Sequence, residues 1–447
     1  MAGDTAAATV GASTAATKAG HDAFLFPCVA PYYRDPLVLV EASGVKVVDS
    51  AGREYLDLFA GILTTSLGHC HPEVTARVTE QLGKLGHTST LYISQEQVEV
   101  ARLLADLAPG GLRRTFFTNS GTEAVETAIM LAAMYTGRSE VIALRLAYSG
   151  RSLLATEITA HAPWRPVASW VAGIKHARPP YAYRCPFRSP CDDTCVEAFA
   201  RELLEVIETT TTGRPAALIV EPIQGVGGFN VLPPAYLRRA AEIIRSYGGL
   251  FISDEVQTGF GRTGERWFGI EHADVEPDIM IMAKGIANGF PVGATMTTDE
   301  IAAAWTAKTI STYGGNPIAM AAAGATLEVM VRENAPARSS QRGTQLRAGL
   351  KALAQAHDWI GDVRGMGLMQ ALELVDDRTS KAPSPARATA LLEAAKAEGL
   401  LVGIGGLYGN VVRIGPSMLI TEAEVADGLS RLGRACRVVS AIRSRAS

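Results

Sequence analysis

Three short runs of unbroken apolar residues constrain this chain most: "AALIVEP" (216–222), "GGLFISDEV" (248–256) and "DIMIMAKG" (278–285). Each has the length of a strand, and none alternates apolar with polar residues. A strand that is apolar on both faces must be covered on both faces. That is the condition of a mostly parallel sheet inside an α/β domain. The runs recur at roughly the 30-residue spacing of a strand–helix–strand unit. A helical period over 236–247 fills the first gap. "TFFT" and "EVIALR" (140–145) add two strands, and "GTEAVETAIMLAAMYTG" between them reads as a helix closed by Gly137.

Upstream, "VKVVDSAGREYLDL" (45–58) predicts a hairpin turning at Ser50-Ala51-Gly52, and helical periods cover 73–84 and 95–108. After an apolar helix over 317–333 the texture changes. Helices are expected over 338–356, 384–400 and 421–443, with strands in 363–374 and 411–416, which makes a smaller α+β unit. The first residues, "MAGDTAAATVGASTAATKAG", lack a basic start and a bulky apolar core. They resemble neither a signal nor a transit peptide and read as a disordered tail. A formal net charge of -3 over 447 residues gives no reason to expect a nucleic-acid or anionic-membrane partner. The longest apolar stretch, 317–331, contains Glu328 and falls short of the roughly 20 residues of a membrane span. Cytoplasm is the default expectation.

The three apolar strands end in Glu221, in Asp254 with Glu255, and just before Lys284. The carboxyl edge of a parallel sheet is where ligands bind. A lysine at a buried strand end loses its proton more easily and becomes a nucleophile. In "TNSGTEAVETA" (118–128), Ser120 and Glu123 form a capping box at a helix start. Gly121 lets a ligand approach the backbone there, and Ser120 and Thr122 add hydroxyl donors, so the helix start can take an anion. An aspartate, a lysine and a phosphate cup together suggest pyridoxal phosphate. That cofactor needs a lysine for its Schiff base, a carboxylate to keep its ring nitrogen protonated, and a phosphate cradle. "GFGRTG" (259–264) fits G-x-G-x-x-G, but no helix is expected to open there, so a dinucleotide site is not.

At these residues the chain resembles the class III pyridoxal-phosphate aminotransferases. The resemblance runs over about residues 30–435. It is carried by "DLFAGILTTSLGHCHP" (57–72), "NSGTEAVETA" (119–128), "EPIQGVGG" (221–228), "SDEVQTGFGRTG" (253–264), "MAKGIANGFPVGA" (282–294), "TYGGNPIAMAAA" (312–323), "VRGMGLMQALEL" (363–374) and "VRIGPSMLIT" (412–421). "GHCHP", "HTST" (87–90), "EPIQGVGG" and "RIGPSMLIT" point toward the alanine–glyoxylate type 2 group within it.

The resemblance implies fold type I: a large α/β domain with a mostly parallel seven-stranded sheet, and a smaller α+β domain. The implied division is a tail over 1–23, an N-terminal segment over 24–75 joining the small domain, a cofactor domain over 76–325, and a C-terminal small domain over 326–447. It also implies a homodimer with shared active sites. Carried over, Lys284 is the Schiff-base lysine and proton shuttle, and Asp254 pairs with the ring nitrogen. Val256 packs on one ring face, Tyr148 stacks on the other, and Gln257 reaches the ring hydroxyl. Gly121 and Thr122 hold the phosphate with Thr312 of the partner subunit. Glu221 stands near the ring. Arg413 binds the substrate carboxylate as a two-pronged fork.

Two departures matter. Tyr148-Ser149-Gly150 stands where many members have Tyr-His-Gly. Val226 stands where ornithine- and GABA-type members place a glutamate that neutralises the arginine. This favours an alanine-type donor with pyruvate or glyoxylate as acceptor, in a ping-pong transfer. An amine donor is also open, and the alternatives are a phospholyase or other lyase acting on amino-alcohol phosphates and a cofactor-fold protein used only for binding or regulation. No metal is expected. Of Cys185, Cys191 and Cys195, only the 191–195 pair has zinc-like spacing, and a fourth ligand would have to come from His176 or elsewhere. His69 and His71 read as part of the "GHCHP" turn. Tyr32, Tyr33 and Tyr92 are candidate pocket aromatics or ordinary packing.

Overall fold

The computed structural model describes residues 5–29, 31–168, 170–187 and 192–443. Its centre is a seven-stranded sheet in the order Arg114–Thr118, Gly293–Thr297, Ile279–Met282, Leu250–Asp254, Ala217–Val220, Val141–Leu144, Ile174–Ala177. Gly293–Thr297 runs antiparallel to both its neighbours, and the other pairings are parallel. The unbroken apolar runs explain this placement, because alternate residues of each strand feed different cores. Ile142, Leu144, Leu218, Val220, Phe251, Met280 and Met282 face one. Val141, Ala143, Ala217, Ile219, Ile252, Ile279 and Ile281 face the other, together with Ala124, Val125 and Ala128 of the helix Gly121–Thr136. Burying each large aliphatic side chain contributes roughly 1.5–3 kcal/mol, so neither face can be left in water.

The expected helix closed by Gly137 ends there with that glycine left-handed at φ 66°. The apolar helix Pro317–Arg332 is buried along most of its length and packs on Pro72–Lys84 and Gln95–Leu107. The smaller unit is an antiparallel sheet of Ile360–Met366, Met369–Leu374, Val411–Ile414 and Gly403–Gly405. Helices Ala335–Ala356, Pro385–Ala397 and Glu422–Arg443 accompany it. The expected hairpin is present as Lys46–Asp49 against Glu54–Asp57. Leu400 and Leu401 extend its sheet by pairing in parallel with Leu56 and Asp57, so the two ends of the chain meet in one sheet.

The first residues depart from expectation. Thr5–Phe24 is a helix rather than a disordered tail. Alanine carries the highest helix propensity, so a segment too poor in large side chains to build a core still forms a helix. The contacts that tie it down include the Thr14 hydroxyl donating to Ser50 at 2.6 Å and Lys18 pairing with Asp35 at 2.5 Å. No helix among the described residues is long and apolar enough to cross a membrane.

Candidate active site

The carboxyl edge of the large sheet opens into a cavity of about 330 Å³ lined by Ser120, Gly121, Thr122, Tyr148, Glu221, Asp254, Val256, Gln257 and Lys284. Strand Leu250–Asp254 delivers Asp254 at its last position, and the Val256 amide donates to its Oδ1 at 3.1 Å. The next side chain, Glu255, is also buried but serves the fold. It accepts from Ser253, Thr258, Gly269 and Ile270, anchoring the turn Gly269–Ala273. The alternation of a strand separates these two adjacent carboxylates by function.

Lys284 follows strand Ile279–Met282 and opens the short 3₁₀ turn Lys284–Ala287. Its backbone is left-handed, with φ 46°. Such a conformation is uncommon for a lysine and clusters at functional sites. A side chain at Gly285 would place its Cβ 2.5 Å from the Ser66 hydroxyl, which accounts for the glycine. Asn288, also left-handed, accepts from the Leu67 amide at 2.8 Å and donates to the Gly68 carbonyl at 2.9 Å, fixing the turn against residues 66–68.

The electrostatics are those of a shared buried cluster. Burial holds the Lys284 ammonium below its ordinary range, against the pull of Asp254 and Glu221. Burial pushes the Asp254 carboxyl up, opposed by the Val256 amide and by Lys284. Burial and then Asp254 push Glu221 up, although its two oxygens accept from the Tyr148 amide at 3.0 Å and the Gly225 amide at 2.8 Å. Tyr148, with its hydroxyl raised by burial, meets Trp164 edge to face at 5.6 Å.

The opposite wall is a helix start. Ser120 caps Gly121–Thr136 by accepting from the Glu123 amide at 3.2 Å, and Glu123 answers by accepting from the Asn119 amide. The first-turn amides of Gly121 and Thr122 have no acceptor one turn back within the helix. A Cβ on Gly121 would come within 3.3 Å of Val256, and one on Gly150 within 2.9 Å of the Thr122 Cβ.

Arg413, on strand Val411–Ile414 of the small sheet, is 3% exposed and lies behind the cavity. It is held between Phe59 and Phe229, 5.1 and 5.7 Å from their ring centres. Its Nη1 and Nη2 donate to the Gly225 and Ile404 carbonyls at 3.3 and 2.8 Å, and Nε has no hydrogen-bond partner among the described residues. Burial lowers its pKa, opposed first by Tyr32 and then by Glu221. Its charge in turn reaches Lys284.

These residues fit pyridoxal phosphate. Gln257 Oε1 is buried on the cavity wall without a hydrogen-bond partner among the described residues, the helix start offers an anion cup, and a lysine faces two carboxylates. The Aminotransferase class-III sequence profile matches residues 29–436. The chain belongs to the class III aminotransferases. It is thus a pyridoxal-phosphate-dependent enzyme that moves amino groups. This aminotransferase is 42% identical over 400 residues to alanine–glyoxylate aminotransferase 2 homolog 2, mitochondrial, of Arabidopsis thaliana, covering 89% of this chain and 82% of the relative. It is 39% identical over 407 residues to acetylornithine aminotransferase of Methanopyrus kandleri, covering 91% and 96%. Among solved structures, the PLP-bound amine transaminase from an uncultivated Pseudomonas species superposes with a TM-score of 0.87 at 31% identity, covering 93% of this chain and 98% of that one.

Not every sequence candidate gathers here. Thr312 is exposed and does not line this aminotransferase's own cavity. Tyr32 lies 6.2 Å from Phe59, beside Arg413. Tyr33 packs instead under Lys396, and Tyr92 is 70% exposed. His69 bonds Asp57 at 2.9 Å, and His71 begins the helix Pro72–Lys84. Cys191 lies outside the described residues, and among these no group of three or more His, Cys, Asp or Glu side chains gathers as metal ligands. "GFGRTG" is a run of turns, with Gly261 close against Pro336 and Gly264 against Ser340. Sequence reading missed Thr64 and the Phe290-Pro291-Val292 wall. Thr64 follows four successive left-handed residues, Ala60 to Leu63, and apolar side chains give no local signal for that.

Proposed function

We propose that this aminotransferase takes an alanine-like amino donor and passes its nitrogen to a small 2-oxo acid such as pyruvate or glyoxylate. The observation that carries this reading is Arg413. It is buried and makes no ion pair among the described residues, and the neighbouring Val226 brings no carboxylate to it. A cation so placed pairs with a carboxylate of either substrate.

Bound pyridoxal phosphate supplies an aldehyde for the amino group and a ring that accepts the electron pair of the broken Cα–H bond. Lys284 would hold the aldehyde group and would serve as the base that takes the proton from the substrate Cα. Its lowered pKa makes the neutral amine available for that. Asp254 would keep the ring nitrogen protonated, and Gln257 Oε1 would be the acceptor for the ring hydroxyl. Gly121, Thr122 and Ser120 would bind the phosphate. Val256 and Tyr148 would enclose the ring, Glu221 orders the Tyr148 and Gly225 amides, and Arg413 would orient the substrate carboxylate.

We further propose a homodimer in which Thr312 enters the partner's phosphate cup. Residues 91–93 and 310–313 support this, since Leu91, Tyr92, Ile93, Ile310 and Tyr313 all stand exposed around Thr312. The Thr90 hydroxyl and the Ser311 backbone tie the two stretches together. Cytoplasm is the compartment we propose, beside relatives whose names place them in mitochondria.

The deciding experiment follows the visible absorbance of the loaded enzyme. L-Alanine should convert the bound cofactor to its amine form, and pyruvate or glyoxylate should restore it. An unchanged spectrum with alanine, together with conversion by N-acetylornithine, would overturn the donor assignment. Arg413→Ala should lower kcat/KM for alanine by roughly 10–100-fold, the value of a hydrogen-bonded charge contact.

A further inference from the structure

Cys185 and Cys195 belong to no part of the site described above. The Cys185 thiol lies 3.6 Å from the Cys195 sulfur, a contact between sulfurs brought together from either side of a ten-residue sequence separation. Both sides of the contact are fixed by packing. Cys195 stands in the first turn of the helix Asp193–Thr210 and is 2% exposed. One turn on, on the same face, Phe199 receives Phe187 edge to face at 4.9 Å, so the stretch after Cys185 is pinned to the same helix. The stretch before it is pinned elsewhere. Arg184 donates to Glu373 at 2.6 Å, and Tyr181 donates to the same carboxylate. The pair is therefore held in register by side chains that do not themselves change on oxidation. Cys185 is half-buried and the reachable member, whereas Cys195 is enclosed.

We propose that Cys185 and Cys195 form a reversible thiol–disulfide site. Its oxidant is a low-molecular-weight disulfide of the glutathione class. Cys185, as thiolate after giving its proton to solvent, attacks the small disulfide and releases one equivalent of small thiol. Cys195 then attacks the Cys185 sulfur of the mixed disulfide, loses its own proton, and releases the second equivalent. Two protein thiols are oxidised and one small disulfide is reduced to two thiols. Closure requires the sulfurs to approach from 3.6 Å to the roughly 2.05 Å of a disulfide bond. The bond would join the turn Ala182–Arg184, which carries the contact to Glu373, to the helix Asp193–Thr210. Glu373 also pairs with Arg364, whose Nε donates to the Gly228 carbonyl in the loop behind the cavity. Oxidation at this pair thereby stiffens the support of that loop without touching the cofactor pocket.

The test is a redox titration of the loaded enzyme in reduced and oxidised glutathione, with alkylation of remaining thiols and mass mapping of the peptides. The expected result is a single cross-link between the peptides holding Cys185 and Cys195, reversed by excess reduced glutathione. Cys185→Ser and Cys195→Ser should each abolish it while keeping the cofactor absorbance of the parent. Both thiols staying alkylatable at the most oxidising poise would overturn the proposal. So would a cross-link from either to Cys191, or a stoichiometric metal ion released from the pair by a chelator. Trapping Cys185 as a stable mixed disulfide that Cys195 never resolves would overturn it as well.

Discussion

Lys284 combines three local facts: a left-handed backbone, partial exposure toward the cavity, and an ammonium weakened by burial. The conformation turns the chain sharply off the sheet edge, and the neighbouring Gly285 admits Ser66 where a side chain would collide. Glu221 shows the same economy. It orders two backbone amides while its own charge is disfavoured by burial and by Asp254. Its carboxyl rises from an ordinary 4.5 to about 8 in the fold. A raised folded value means that the unfolded chain releases this proton first. The stability tied to the protonated group is then fully present below about 4.5 and is lost as pH climbs through about 8. The cofactor-free enzyme should accordingly lose melting temperature between pH 5 and 8 more steeply than Glu221→Gln, which cannot ionise. Parallel melting curves check this. Equal slopes would show that Glu221 does not titrate in that window.

At the scale of elements, the site is a meeting of ends: strand carboxyl ends, the start of the helix Gly121–Thr136, and the turn after Ile279–Met282. The fit between the 148–150 loop and that helix start is close. A methyl group on Gly150 would meet both Cβ and Oγ1 of Thr122, and the glycine φ of 131° is one that alanine rarely adopts. Gly150→Ala should weaken pyridoxal phosphate binding by one to two orders of magnitude, in keeping with the roughly 1–3 kcal/mol of overpacking. Cofactor titration followed by absorbance checks it, and unchanged affinity would mean that the loop relaxes freely. The elements themselves were legible before the structure because apolar runs and capping residues are local signals. The helix Gly121–Thr136 could be expected from Ser120, Glu123 and Gly137. The helix over Thr5–Phe24 carries no such signal, because an alanine-rich run without a core-forming pattern looks the same in sequence whether ordered or not.

For the whole molecule, Thr312 is an exposed candidate that a single chain leaves outside its own cavity. Our homodimer reading makes a sharp prediction for mixed variants. Lys284→Ala and Thr312→Glu should each be nearly inactive alone. Refolded or co-expressed together, they should recover about a quarter of parental activity. Half of the dimers are then mixed, and each mixed dimer has one site with an intact lysine and its partner's intact threonine. No recovery beyond the sum of the two parents would place Thr312 outside the partner's cup.

The sequence by itself determined the two-sided sheet, the helix starts, and the identity of the groups at the strand ends. Continuous apolar strands, caps and a lysine behind an apolar run are all encoded within a few residues of one another. The local pattern leaves Asp254 and Glu255 equivalent and the resemblance singles out Asp254, but only the tertiary structure supplies the cause, since strand facing and the needs of the Gly269 and Ile270 amides turn Glu255 away from the cavity. Tertiary structure also decided that Arg413, some 130 residues beyond Lys284, lies behind the same cavity without an ion-pair partner among the described residues, and that Cys185 meets Cys195. Such relations between distant residues come from the packing of one unit on another, and no local pattern of side chains records them.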